Sequence, residues 1–143
     1  MCANYTNGAL FRWGIFQFSA GAAGDVSDGA YFEYDSTVSA NIYACTAASG
    51  TRTKVDTGQN ISTIDQAFRT FAIRKTASGF QFFDLDTSTS TPLATITTNI
   101  PVAANLGCRG FIQSIYNGNT YRSLFLDAWG IEIATGWFPG APS

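Results

Sequence analysis

Two pairs of acidic residues sit two positions apart in the chain, Glu33 with Asp35 and Asp84 with Asp86. In an extended strand, residues i and i+2 share one face about 6.5–7 Å apart. Glycoside hydrolases work with carboxyl pairs about 5–5.5 Å apart for retention and about 6.5–9.5 Å apart for inversion. The spacing therefore fits acid–base cleavage of a glycan. It fits strand ends equally well, where Asp is solvated and starts turns, and this plainer reading is the expectation. A second oxygen-rich segment, Asp25-Val26-Ser27-Asp28-Gly29, offers weak calcium ligands. No Glu closes a twelve-residue calcium loop there, so no metal and no other cofactor is expected.

Histidine is absent from the chain. That removes Ser-His-Asp and Cys-His nucleophilic catalysis, His-ligated zinc and the usual neutral-pH general base. The three cysteines, Cys2, Cys45 and Cys108, are odd in number and widely spaced. They form neither a disulfide framework nor a zinc motif. They read as free thiols, two of them in strands as small hydrophobes. Of the three tryptophans, Trp13 and Trp129 lie inside strand patterns and are expected in a core. Trp137 follows the last strand in a Gly/Pro-rich segment with Phe138 and Pro139. No catalytic residue is expected, and the protein is not expected to be an enzyme.

The elements that must position these groups are strands. The chain has 143 residues, 45% of them hydrophobic and only 13% charged. That is enough for one domain with a real core and excludes a charged, disordered chain. The net charge is −2, so no basic stripe is available to displace counterions and no nucleic acid is expected as partner. The segment MCANYTNG lacks the basic and apolar regions of a signal peptide. The longest apolar runs are far shorter than the ~20 residues of a membrane helix, so no membrane partner is expected.

Runs of aromatic and β-branched residues recur between Gly, Asn, Asp and Ser clusters, the strand-and-turn signature. Phe11 to Phe18 carries aromatics on both faces and predicts a strand covered on both sides. Ala20 to Gly29 reads as a loop, and Ala30 to Asp35 as a strand. Val38–Thr46 and Thr51–Val55 flank a four-residue hairpin loop, Ala47 to Gly50. Residues 56–66 read as a polar connection, with Thr63 or Asp65 capping a short helical turn. Ala67–Lys75 and Phe80–Asp86 form a hairpin around Thr76 to Gly79, and Leu93–Thr97 is a further strand. Gly107–Ile115 and Thr120–Ile133 read as the last antiparallel pair, turning at Asn117-Gly118-Asn119. The count is eight or nine strands with almost no helix. It predicts an all-β antiparallel sandwich or jelly roll over residues 9–133, with an N-terminal arm at 1–8 and a C-terminal tail at 134–143.

The segments FRTFAIRKTASGFQFFDLD, ATITTNIP and SLFLDAWGIEI, with RWGIF and DGAYFEYDS upstream, resemble the concanavalin A-like jelly roll that recurs in tailed-phage virion proteins. That resemblance implies two curved antiparallel sheets. The fold hosts lectins, glucanases and structural virion modules, so it does not give function by itself. The related glucanases carry two Glu flanking an Asp on one strand, whereas this chain has only Glu33 and Glu132, far apart.

The resemblance implies a capsid decoration (cement) protein that binds the major capsid protein. It would be located on the virion, folded in the bacterial host cytoplasm, and assembled as a homo-oligomer, with a homotrimer preferred. The alternative is a tail-fibre or carbohydrate-binding lectin-like module, with a glycan as ligand. A glycan hydrolase is the third and weakest reading. The expected partner contacts are Tyr5 in the arm and Trp137, Phe138 and Pro139 in the tail. Exposed aromatics there invite cover by a neighbour.

Overall fold

The computed structural model describes residues 2–4, 8–20, 25–63, 68–103, 105–114 and 123–125. Among them the chain is all-β, with strands β1 (Cys2–Asn4), β2 (Ala9–Phe18), β3 (Val26–Asp35), β4 (Asn41–Ala48) and β5 (Thr51–Asn60). A 3-10 turn at Ile61–Thr63 precedes β6 (Phe71–Lys75), β7 (Phe80–Asp84), β8 (Ala94–Ile96), β9 (Gly107–Ser114) and β10 (Ser123–Phe125). Five strands form an antiparallel sheet in the order β5-β4-β3-β2-β9, and three form a second in the order β6-β7-β8. A short ladder pairs β1 with β10.

The two sheets meet over a shared apolar core. Phe11, Trp13, Phe32, Tyr34 and Ile42 face inward from the larger sheet, and Phe80, Phe82 and Ile96 face them from the smaller. Phe71 and Ile73 pack at its margin, on one strand face as their spacing predicts. Phe32 stacks on Trp13 at 5.5 Å and meets Phe82 edge-on at 5.3 Å, which ties sheet to sheet. The layers are also pinned by hydroxyls. Thr46 donates to the Thr98 carbonyl at 2.8 Å, and Asn99 donates through Nδ2 to Thr53 at 2.9 Å.

β2 is apolar on both faces because it is an inner strand with both faces filled. Its second face joins Phe16 to Val26, Tyr31, Cys45 and Ala47 in a separate buried cluster. The neighbour that completes β2 is β9, in register from Ala9 opposite Ser114 to Phe16 opposite Gly107.

Several boundaries differ from the sequence reading. β3 begins at Val26, inside the stretch read as a loop, because Gly29 lies against Phe16 at the β2 ladder. A Cβ there would come within 2.4 Å of the Phe16 Cβ, so the glycine marks a close strand approach rather than a turn. The hairpin after β4 closes on two residues, not four. Ser49 and Gly50 have φ of 49° and 83°, the paired positive values of a type I′ turn whose twist matches its strands. β5 runs on to Asn60 through residues read as a connection. Its polar composition reflects an edge position rather than a loop. The short helical turn is present at Ile61–Thr63, and its cap is Asn60, whose Oδ1 accepts the Ser62 N–H at 2.9 Å. Asp65 lies outside the described residues.

The hairpin at Thr76 to Gly79 forms as expected, with Thr76 N–H donating to the Gly79 carbonyl at 2.9 Å. Cys2–Asn4, read as part of an arm, is a strand whose register sets Cys2 opposite Phe125. The turn signal at Asn117-Gly118-Asn119 pairs β9 with β10. Among the described residues β9 instead completes the open edge of β2, and β10 takes β1. The turn at 117–119 and residues 126–133 lie outside the described residues.

Candidate functional site

The groups with chemistry in them gather on the second face of the larger sheet. Ladder register sets Arg12 on β2 opposite Glu33 on β3, and Cys45 on β4 opposite Lys54 on β5. Glu33 is 1% exposed and Arg12 6%. Arg12 donates through Nε to Glu33 Oε2 at 2.5 Å, and the Lys54 ammonium bonds the other carboxylate oxygen. One buried carboxylate is thus shared by two cations from strands on either side of it. Tyr31 and Cys45 lie beside this triad in the apolar cluster.

Burial pushes the Cys45 thiol well above its ordinary range, and the nearby Glu33 carboxylate adds to the effect. Burial raises the Tyr31 phenol in the same way, followed by Cys45 and Glu33. Both groups are acids held protonated in the folded chain. The unfolded chain releases these protons above about pH 8.5 for Cys and about pH 10 for Tyr. Their contribution to stability is intact below those values and is lost progressively as pH rises beyond them toward the raised values of the folded chain. A thiol reagent at about pH 8 is expected to label exposed Cys108 in the folded protein and to reach Cys45 only in denaturant. Peptide mapping after labelling checks this, and equal labelling of both would contradict the buried thiol. Cys45 and Cys108 are free thiols in strands, as read, and only Cys45 packs as a small hydrophobe, since Cys108 on β9 is exposed.

The acidic pairs singled out in the sequence do not converge on one site. Within the first pair, Glu33 belongs to the buried triad. Asp35 organises the β3–β4 turn, where its Oδ1 accepts the Thr37 N–H at 2.9 Å and the Thr37 hydroxyl at 2.7 Å. Within the second pair, Asp84 is 1% exposed. Its Oδ2 is bonded by Arg69 and accepts the Thr87 hydroxyl at 3.1 Å, while Oδ1 accepts the Asp86 N–H at 3.1 Å. Asp86 in turn accepts the Thr70 N–H at 2.5 Å. These bonds lock the corner after β7 to the chain entering β6. Asp25 is bonded by Arg52, which also holds its carboxyl below the usual range. Asp28 accepts the Ser49 N–H at 3.2 Å. Asp25 and Asp28 thus serve separate local contacts, and no cluster of metal-ligating side chains occurs among the described residues.

Trp13 is in the core, as expected. Tyr5, Trp129, Glu132, Trp137, Phe138 and Pro139 lie outside the described residues. The buried triad was missed in the sequence. A signal for it was present, because Arg12 and Glu33 are each flanked by aromatics inside strands that are apolar on both faces. A lone charge in such a strand needs a partner of opposite sign.

Compared with known protein families, with curated proteins and with solved structures, the chain matches none of them.

Proposed function

We propose that the chain is a structural protein of a phage virion, a capsid decoration (cement) protein that binds the major capsid protein and stabilises the shell. The reading rests on the sequence resemblance, and the structural observation in keeping with it is the use made of the acidic groups. The carboxylates best placed for chemistry, Glu33 and Asp84, are each bound by cations and held inside the fold. Such an arrangement favours a rigid binding module over a reacting centre. The surface points the same way. With 13% charged residues, solubility rests on Ser, Thr, Asn and Gly, which suits a subunit that lives against neighbours.

The two antiparallel sheets support the sandwich part of this reading, and the jelly-roll connectivity that the resemblance implies is part of the proposal alone. The same reading assigns the shell contacts to Tyr5, Trp137, Phe138 and Pro139, and trimeric assembly to local threefold axes of the shell.

Counting copies in purified particles tests it directly. Hundreds of copies per shell are expected, in fixed ratio to the major capsid protein. A few to some tens of copies, with binding on a glycan array, would replace it with the tail-fibre or lectin-like reading. Removal of residues 136–143 is expected to leave the sandwich folded and to weaken attachment to the shell. Unchanged occupancy and salt resistance of truncated protein would show that the tail is no anchor.

A further inference from the structure

The five-stranded sheet ends on β5, whose only ladder partner among the described residues is β4. Three successive residues at its middle, Lys54, Val55 and Asp56, are exposed. The two-residue turn at Ser49-Gly50 makes Ala48 and Thr51 the first hydrogen-bonded pair of the β4–β5 ladder. Alternation then turns the N–H and C=O groups of Thr51, Thr53 and Val55 toward β4, and those of Arg52, Lys54 and Asp56 outward. A row of backbone donors and acceptors at an exposed edge is a template for another strand.

We propose that this edge binds a second copy of the same edge, giving a twofold-symmetric antiparallel dimer centred on Val55. The side chains select that register. With Val55 opposite the Val55 of the partner subunit, Lys54, which also bonds Glu33, faces Asp56, which also accepts from Asn41 and the Gly58 N–H, across the ladder on both sides of the axis. Thr53 then faces Thr57, and the exposed apolar side chains meet at the centre. The facing groups are cross-strand neighbours of the kind that stabilise antiparallel pairs. The outward backbone groups of Lys54 and Asp56 become hydrogen-bonded partners in this register, and Val55 falls at a non-hydrogen-bonded position, as the alternation requires. Recentring on Asp56 would oppose two aspartates, and recentring on Lys54 would oppose two lysines while setting Arg52, already held by Asp25, against Asp56, so the adjacent registers each carry a like-charge pair on the axis.

Gly58, at φ 71°, and the break in β4–β5 register between Asn41 and Tyr43 bend the strand beyond Thr57. They confine pairing to the straight segment. The contact is self-complementary, as a twofold interface must be. It is small, in the range of weak encounters, and high local concentration on a surface strengthens it. It is independent of the decoration reading and uses a different surface from the chain ends.

The full chain carrying Cys2→Ser and Cys108→Ser provides the background for the test, because Cys45 is buried. Val55→Cys in that background places the two sulfurs on Cα atoms about 4.5 Å apart at a non-hydrogen-bonded pair, within disulfide reach. Thr51→Cys, also exposed, is the control. In this register Thr51 faces Gln59, and its own copy lies about 27 Å away along the strand. Under mild oxidation the Val55→Cys protein is expected to form a disulfide-linked dimer at least about tenfold faster than the control. The unaltered chain is expected to show a concentration-dependent rise in sedimenting mass, and Val55→Lys to abolish it with an unchanged circular dichroism spectrum. Equal cross-linking of the two cysteine variants, or unchanged association of Val55→Lys, would overturn the proposal.

Discussion

Replacing Glu33 by Leu is expected to destabilise the protein by about 3–5 kcal/mol, the usual cost of removing one partner from a buried ion pair. Glu33 is almost completely buried, as is Arg12, which donates to it. Losing the carboxylate leaves the guanidinium inside the sheet face without its main counter-charge. Lys54 is better placed to adapt, because its side chain is 38% exposed and can reach solvent. The paired substitution, Arg12→Leu with Glu33→Leu, is expected to recover most of the loss, since apolar replacement of a whole buried pair is often neutral or stabilising. Glu33→Gln keeps the shape and a carbonyl acceptor and should fall between the two. Denaturant unfolding of the four proteins gives the comparison. A loss below about 0.5 kcal/mol for Glu33→Leu, the range of ordinary surface substitutions, would mean that the triad is not a desolvated ionic core.

The strands legible in the sequence are those dense in aromatic and β-branched residues and bounded by turn residues. Phe71 and Ile73 share a face as their spacing requires, and the turn at Thr76 to Gly79 has the residues such a turn demands. The double-sided apolar character of Phe11 to Phe18 gave the correct inference that both faces are covered. It did not say by what pairing, because a strand records burial and not the identity of its neighbour. β9 arrives beside β2 from about ninety positions further along the chain, and no local periodicity encodes that register.

Edges and close approaches were the less legible parts, for physical reasons. Residues 56–60 sit at a sheet edge, where polar side chains guard exposed backbone, so an edge strand and a loop share a composition. Val26 to Gly29 contains Ser, Asp and Gly, the residues of turns, although Gly29 is there because Phe16 leaves no room for a Cβ. The β1–β10 ladder is three residues long, below any usable window of alternation. The buried triad was hidden for a related reason. Its charges are i and j residues on different strands, and only the ladder brings Arg12 opposite Glu33.

Phe32→Ala should reveal how far the two sheets depend on each other, with an expected loss of about 3–5 kcal/mol. Phe32 is fully buried at the centre of the shared core. Its ring lies 5.5 Å from Trp13, 4.9 Å from Phe71 and 5.3 Å from Phe82. Those three partners sit on β2, β6 and β7, so one side chain contacts strands from both layers. Truncation removes the transfer free energy of the ring and leaves a cavity that rigid strands cannot readily close. It also deletes aromatic contacts worth about 0.5–1.5 kcal/mol each beyond area burial. The three-stranded sheet is small, and three strands need a packed apolar face to be stable. Weakening its anchor is therefore expected to raise hydrogen exchange in β6, β7 and β8 more than in β3 and β4, whose second face remains filled by Tyr31, Cys45 and Ala47. Uniform acceleration across all strands would show instead that the two layers open only together, as one cooperative unit.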